Sequence, residues 1–394
     1  STNKIINVLK EAKKQYQMNN KLSSSFTSDG SKFFYHQEVM SKLRQGKGQV
    51  ITSHLIITDF CNHSCSFCSV LTRVGDTLPF NVIEEYLDKI IPLGLKSVII
   101  SGGGNPILYK CKETKKNFDD VVNMVHEKGL EIGLITNGVK MKKYPCGRTS
   151  WITVKPETLD KCTWIRISMA GLDHEEKEVY VPDVDKTKTT LGFSYVYHDT
   201  YIEPKELNHG KVSTIDDLIT PLVPDDGRVI YGKDRLPWIQ EKITEYVNKH
   251  NPVYVRMLPN CLEVDKIASR CEELQTVANE INPNVVFVQY KPPKAPKNCW
   301  LGYTHLVLNS DQFLYPCDSV VLNKAAGHKF DSPWRICHWT EVEELYNKPI
   351  HSLVDSQRLC PGCVFTKTNE ILEQVVNGAE TPMPLVTPTH PNFV

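Results

Sequence analysis

From about Gln49 onward, short apolar runs alternate with amphipathic stretches of helical period. HLIIT (54–58) has the unbroken apolar character of a strand buried on both faces. NVIEEYLDKII follows, with Val82, Ile83, Tyr86, Leu87, Ile90 and Ile91 on one stripe, which predicts a helix. KSVIISGGG reads as a second strand running into glycines. In NFDDVVNMVHEKG, Phe118, Val121, Val122 and Val125 fall at i, i+3, i+4 and i+7, and Gly129 is a C-cap that ends the helix. LEIGLITNG, TWIRISMAG (163–171), TLGFSYVY (190–197) and PVYVRMLP supply strands three to six, with the helix PWIQEKITEYVNKH before the last. A polar insertion occupies about 199–235.

Strands alternating with helices predict parallel βα units, open or closed into a barrel. Chemistry in such folds is carried by loops at the strands' C-terminal ends. The pattern changes after KPPKAPK (291–297), a Pro/Lys linker. Beyond it, THLVLNSDQFLYPC has two apolar runs flanking a polar turn, as in a hairpin. The Pro/Thr-rich NGAETPMPLVTPTHPNFV reads as an extended tail, and no internal repeat interrupts the chain.

Composition narrows the class without choosing within it. Of 394 residues, 40% are apolar and 23% charged, as in soluble globular enzymes. Forty-six Lys and Arg balance 46 Asp and Glu, so no global charge draws the chain to nucleic acid or an anionic membrane. Lysines in YKCKETKK (109–116) and KMKKYPCGR (140–148) read as solvated loop charge, and nucleic acid is not an expected partner. No apolar run is long enough to span a bilayer, and the start STNKIINVLKEAKKQ lacks a secretory core, so a cytoplasmic location is expected.

Thirteen cysteines, an odd number in tight clusters, read as ligands rather than disulfides. Cys61, Cys65 and Cys68 fall within the eight residues CNHSCSFC. Three thiolates can hold three irons of a four-iron cluster and leave the fourth open to a small molecule. The spacing alone leaves zinc open as well, with His63 or His54 as a distant fourth ligand.

CNHSCSFC at the end of the first strand resembles the C-x3-C-x2-C motif of the radical S-adenosylmethionine (SAM) superfamily, with the aromatic Phe67 before the third cysteine. SGGGNP (101–106), TNG (136–138) and RISMAG (166–171) end the next three strands, where that family carries its SAM-binding motifs. The resemblance covers roughly residues 45 to 260. It implies an α/β fold, a partial (β/α)6 TIM-like barrel over 49–260 behind an N-terminal helical extension, 1–48. It also implies a 4Fe–4S cluster on Cys61, Cys65 and Cys68, with Phe67 near the adenine of SAM. Gly102, Gly103 and Gly104 would let backbone approach the methionyl amino group. Asn105 stands where the family usually has Glu, which puts the role of that charge in doubt. Asn137, Arg166 and Ser168 are the implied contacts to ribose and carboxylate.

Downstream of a connecting segment (261–298), residues 299–375 resemble the SPASM/Twitch extension of radical SAM enzymes, through LYPC (314–317) and CPGCVFTKTNEILE (360–373). The set Cys299, Cys317, Cys360 and Cys363 would fully ligate a second, auxiliary 4Fe–4S cluster; a four-cysteine zinc site is the bland alternative. Asn369 and Gln312 stand where longer SPASM units have cysteine and glycine, so the likeness is to the shorter Twitch form, a small hairpin-and-helix unit. Residues 376–394 would be the tail, and Cys337 the one further thiol to watch. The resemblance implies reductive cleavage of SAM to a 5′-deoxyadenosyl radical that abstracts a substrate hydrogen, with electrons from flavodoxin or ferredoxin. The leading expectation is an oxidoreductase acting on a small molecule or peptide side chain, the auxiliary cluster assisting electron transfer. Redox-neutral rearrangement or bond formation on a metabolite, peptide or modified nucleotide is the second, and a non-catalytic iron–sulfur or zinc scaffold the third.

Overall fold

The structure is a computed structural model. It describes residues 21–63, 65, 67–68, 76–143, 150–173, 178–198, 200–202, 228–230, 235–260, 263–290, 294–318, 333–360 and 362–394. Cys146, Cys261 and most of the polar insertion lie outside these residues, as do positions 1–20 of the N-terminal extension.

In chain order the strands are β1 (Thr52–Ile56), β2 (Ser97–Ser101), β3 (Glu131–Thr136), β4 (Lys140–Lys143), β5 (Ser150–Thr153), β6 (Trp164–Ser168) and β7 (Thr190–Tyr197). They continue with β8 (Thr200–Ile202), β9 (Arg228–Ile230), β10 (Tyr254–Pro259), β11 (Val286–Val288), β12 (His305–Leu308), β13 (Phe313–Tyr315) and β14 (Cys337–His338). The helices are α1 (Gln37–Arg44), α2 (Phe80–Ile90), α3 (Phe118–Glu127), α4 (Pro156–Leu159) and α5 (Arg235–His250), then α6 (Ile267–Ile281), α7 (Val342–Asn347), α8 (Ser356–Leu359) and α9 (Thr366–Val376).

Ten strands form one sheet in the order β11-β10-β7-β6-β3-β2-β1-β12-β13-β14, parallel from β11 through β12. The helix stripes behave as their spacing predicts: Val82, Ile83, Tyr86, Leu87 and Ile90 of α2 are buried, as are Phe118, Val121, Val122 and Val125 of α3. Asn117 and Asp120 close a capping box on α3. The result is the α/β, partial TIM-like arrangement that the alternation implies.

Four strands extend the sheet beyond the expected six, two of them parallel (β11 and β12) and two antiparallel (β13 and β14). β11 follows α6 inside the segment expected to be only a connector, and pairs parallel with β10. β12, expected as one arm of a separate hairpin, pairs parallel with β1 while it pairs antiparallel with β13. All four of its residues are buried, so HLVL needs a neighbour on both edges. The Cys299–Cys317 region is therefore continuous with the barrel sheet. The N-terminal extension packs on that same side, burying Phe33, Val39, Met40 and Leu43 against Leu301, Tyr303, Leu372 and Val375.

The tail is not a loose end. Residues 390–394 floor the barrel by meeting the first residue of six strands. Asn392 O accepts from Thr52 Oγ1 at 2.7 Å and Ser97 Oγ at 2.6 Å, and Asn392 Nδ2 donates to Glu131 Oε2 at 2.6 Å. His305 Nδ1 donates to Val394 O at 2.6 Å, and His390 Nε2 meets Thr190 Oγ1 at 2.9 Å. Phe393 meets Trp164 edge-on, 5.3 Å between ring centres. Above the floor, inward glycines make room for rings: a Cβ on Gly133 would lie 2.2 Å from the Trp164 ring, and one on Gly192 2.2 Å from Tyr254.

Lys32 is buried against this floor and donates to Phe393 O at 3.1 Å. Burial pushes its ammonium down from 10.5 to about 7. Between those values the unfolded chain holds a proton that the folded chain has shed, so this residue's contribution to stability rises with pH across the window. Relative to Lys32→Met, wild type should gain up to a few kcal/mol as pH rises from about 7 to about 10. Urea titrations of both proteins at several pH values check the sign.

Candidate functional site

The strand β1 delivers the chain to the cysteine loop, and the glycine turn after β2 clamps that exit. Gly104 N donates to Thr58 O at 3.0 Å, and Asn105 N to Phe60 O at 2.7 Å. A Cβ on Gly104 would stand 1.9 Å from Phe60 O; on Gly102, 2.1 Å from Gly104 O; on Gly103, 2.6 Å from Asp59 Oδ1. At Gly102 and Gly104 the obstacle is backbone, which requires glycine on steric grounds alone, whereas at Gly103 it is the end of the Asp59 side chain. Asp59 is fully buried and accepts from Ser310 Oγ at 2.9 Å, tying the same exit to the turn after β12.

Cys61, Cys65 and Cys68 are half-buried on this loop, and Cys68 N donates to Cys65 O at 3.0 Å. Asn137, at the end of β3, reaches the loop: its Nδ2 lies 3.0 Å from Asn62 Oδ1, 3.2 Å from His63 Nδ1 and 3.7 Å from Cys61 Sγ. Asn105 backs it, donating from Nδ2 to Asn137 Oδ1 at 2.5 Å while its Oδ1 accepts from Thr136 Oγ1 at 2.7 Å. A carboxylate accepts only, so it has no donor for Asn137 Oδ1. The Asn that replaces the usual Glu therefore joins the second and third strand ends to the first cysteine.

Phe67 faces the interior, its ring 5.3 Å from that of His198. His198 Nε2 lies 3.3 Å from Asp173 Oδ2, and Asp173 also takes Tyr195 OH at 3.1 Å and pairs with Arg235. These four residues, all buried, were not picked out from the sequence. Asp173 and His198 lie beyond the ends of β6 and β7, Tyr195 is near the end of β7, and Arg235 begins α5, after the polar insertion.

Phe67 also lines a cavity of about 330 Å³ inside the barrel. Ser101, Ser168, Ser194 and Arg256 line it from the strands, and Val364 and Phe365 from the far side. Arg166 lies deeper than the other predicted SAM contacts. Its Nε donates to Tyr254 OH at 3.0 Å and its Nη2 to Phe26 O at 2.9 Å, with Phe26 stacked on Tyr254 at 4.2 Å. Alternation along β1, β6, β7 and β10 puts His54, Arg166, Ser194 and Arg256 on the inner face, the sequence signal that would have found this polar lumen.

Of the second cysteine set, Cys299, Cys360 and Cys363 lie near enough for Cys360 and Cys363 to act electrostatically on the Cys299 thiol, which burial pushes far up. Phe365 N donates to Cys363 Sγ at 3.3 Å, just before α9. Cys317 is half-buried and packs toward the cluster containing Trp300 and Leu301. Among the described residues, no three His, Cys, Asp or Glu side chains converge as a metal site. The donor set nevertheless suits iron–sulfur ligation: three half-buried thiols on one loop, an amide N–H aimed at one sulfur, and a glycine cradle any Cβ would fill. Cys337 sits on β14 against the barrel core, its thiol pushed up to about 12 by burial, which is the behaviour of a packed apolar side chain.

Residues 55–181 match the family model of the Radical SAM superfamily. The chain carries a radical SAM domain. That family binds SAM and a 4Fe–4S cluster and carries out SAM-dependent radical chemistry. A curated relative, the S-adenosylmethionine-dependent nucleotide dehydratase of Selenomonas ruminantium, is 28% identical over 88 residues, which are 22% of this chain and 30% of the relative. The chain thus spans less than a third of that relative's length. Among solved structures, Streptococcus suis SuiB bound to precursor peptide SuiA aligns with a TM-score of 0.46 and 13% identity, over 88% of this chain and 78% of SuiB. Native anSMEcpe with bound AdoMet and Cp18Cys peptide aligns with a TM-score of 0.43 and 14% identity, over 83% and 99% of the two chains. Among the described residues, no helix is long and apolar enough to cross a membrane.

Proposed function

We propose that this radical SAM enzyme abstracts a hydrogen from a substrate held in the barrel lumen and completes an oxidation with the help of a second cluster. The observation that carries the reading is one cavity bounded both by Phe67, between the second and third loop cysteines, and by Val364 and Phe365, next to Cys363. A substrate there lies between the two cysteine sets.

A cluster on the loop would supply the electron for reductive cleavage of SAM, and an auxiliary cluster would supply an electron acceptor. Cys61, Cys65 and Cys68 would hold the first, and Cys299, Cys317, Cys360 and Cys363 the second. The backbone of Gly102–Gly104 would approach the methionyl end, Asn105 would hold Asn137 in place, and Asn137 and Ser168 would meet polar groups of SAM. Phe67 would cover the adenine, with His198 behind its ring. Arg166 is assigned to the lumen instead, since Phe26 and Tyr254 hold it below the strand ends. The 390–394 floor and the Phe26–Tyr254 stack exclude water from beneath, where a carbon radical would otherwise be quenched. Flavodoxin or ferredoxin is the proposed electron donor.

Redox-neutral chemistry on an anionic metabolite or nucleotide is the second reading, favoured by the two arginines that line the lumen. Anaerobic reconstitution with iron, sulfide, dithionite and SAM tests the common core: wild type should release 5′-deoxyadenosine, and no release overturns both readings. A two-cluster enzyme should carry about eight irons per chain, falling to about four in Cys360→Ala/Cys363→Ala. Iron and sulfide analysis of both proteins checks this, and equal iron content would remove the auxiliary cluster from the scheme.

A further inference from the structure

We infer that Asn369 is the positioning residue of the second cysteine set: its side-chain amide fixes Cys299 and Cys363 relative to one another, so that the set takes up its cluster. The inference deepens the auxiliary-cluster reading proposed above and rests on it for the identity of the bound group.

The segment 294–301 carries Cys299, and it is gripped along its length by the segment that carries Cys360 and Cys363. Thr366 Oγ1 donates to Lys294 O at 2.7 Å, and Ser356 Oγ to Pro296 O at 2.7 Å. Cys299 N donates to Ser352 Oγ at 3.0 Å, and Cys299 O accepts from Leu353 N at 2.9 Å. Asn298 Nδ2 and Trp300 Nε1 both donate to the Glu373 carboxylate on α9. Asn369, one turn earlier on the same helix, holds the residues that follow Cys299. Its Oδ1 accepts from Trp300 N at 2.7 Å and from Leu301 N at 3.0 Å, and its Nδ2 donates to Phe365 O at 3.2 Å.

Asn369 is 2% exposed, and Trp300 and Leu301 are buried, so water is not at hand to replace the amide. Two buried N–H groups without an acceptor would be driven to move until they found one, and Cys299 is joined directly to the first of them. The same side chain acts on the other half of the set. Burial pushes the Cys363 thiol up, and hydrogen bonds from Phe365 N, Thr366 and Asn369 oppose that push. Such bonds favour the thiolate, the form that binds iron. An amide alone can do both, with an oxygen that takes two N–H groups and a nitrogen that gives hydrogens. Asn369 thereby serves the set without being one of its ligands.

Iron and sulfide analysis of the reconstituted full chain, with a redox titration followed by electron paramagnetic resonance, tests this on three variants. Wild type should carry about eight irons and Asn369→Leu, of similar volume, about four, with the loop cluster's spectral response to SAM retained. Asn369→Asp keeps an acceptor for Trp300 N and Leu301 N, but it lacks the donor and adds a charge. It should hold about eight irons and titrate the second cluster at a more negative potential. Thr368→Val is the control for simple destabilisation: Thr368 is 1% exposed on the same helix and donates to Ser28 O at 2.6 Å, away from 294–301. It should keep about eight irons and the wild-type potential. Full iron in Asn369→Leu, an equal loss of iron in Thr368→Val, or an unmoved potential in Asn369→Asp each overturns the inference. The last of these decides alone should Asn369→Leu not fold. About four irons in wild type defeats the auxiliary-cluster reading itself, whereas about eight in both wild type and Asn369→Leu defeats this inference only.

Discussion

Gly104→Ala is expected to leave a folded chain whose 5′-deoxyadenosine release has fallen about a hundredfold or more. The added methyl would stand 1.9 Å from Phe60 O and 2.3 Å from Phe60 C. Both are backbone atoms, so no side-chain rotation relieves the collision. What must give is the pair of hydrogen bonds from Gly104 N to Thr58 O and Asn105 N to Phe60 O, and with them the position of Cys61, the next residue. A misplacement of about 1 Å at a reacting centre is enough for a loss of that size. The cost in stability is smaller, about 1–3 kcal/mol, because one surface-facing turn is overpacked and the sheet beneath is untouched. Gly129→Ala is the control: its positive φ of 78° makes it strained, but no atom lies within 4 Å of the added Cβ. It should lose a comparable amount of stability and keep its SAM cleavage. Equal cleavage by Gly104→Ala and wild type would mean that the glycine turn does not set the cysteine loop.

Much of this arrangement is legible in the sequence because it rests on local pattern. The first six parallel strands and helices α2 and α3 follow from runs and stripes that any buried βα unit must have. CNHSCSFC and SGGGNP announce themselves through residue types that few other roles demand. What stays hidden is of another kind. β11 is three residues, VFV, too short to show a period, and its partner β10 lies more than twenty-five residues earlier. HLVL reads the same whether it ends a hairpin or inserts beside β1, since only burial on both edges separates the cases. His54, Arg166, Ser194 and Arg256 each look like a stray polar residue in an apolar strand. They become a site only when alternation is applied to all strands at once. Asn105 is the instructive case: read against the expected Glu it appears as a loss of charge, whereas its amide supplies a donor that the acid lacks. The tail misleads through composition, because Pro and Thr describe how a segment avoids helix and sheet and say nothing about the carbonyls it offers.

Removal of residues 390–394 should abolish cooperative unfolding or lower its midpoint far below that of any single substitution in the floor. Phe393 alone is 5% exposed and packs on Trp164, so Phe393→Ala should cost about 3–5 kcal/mol. The deletion adds the loss of Asn392 O, Phe393 O and Val394 O as acceptors for Thr52, Ser97, Lys32 and His305, and of Asn392 Nδ2 on Glu131. These partners sit at the first positions of neighbouring parallel strands, apart from Lys32, and each buried group left unpaired costs about 1–3 kcal/mol. Together with Phe393, that approaches the about 5–15 kcal/mol by which a domain is stable at all. The effect should also be chemical. A barrel open below admits water to the lumen, so any deletion variant that still folds and loads iron should consume SAM without converting substrate. Calorimetric melting of wild type, Phe393→Ala and the deletion variant gives the ranking directly. A deletion variant with the wild-type midpoint would reduce these residues to a surface strap, and the water-excluding floor would have to be sought elsewhere in the barrel.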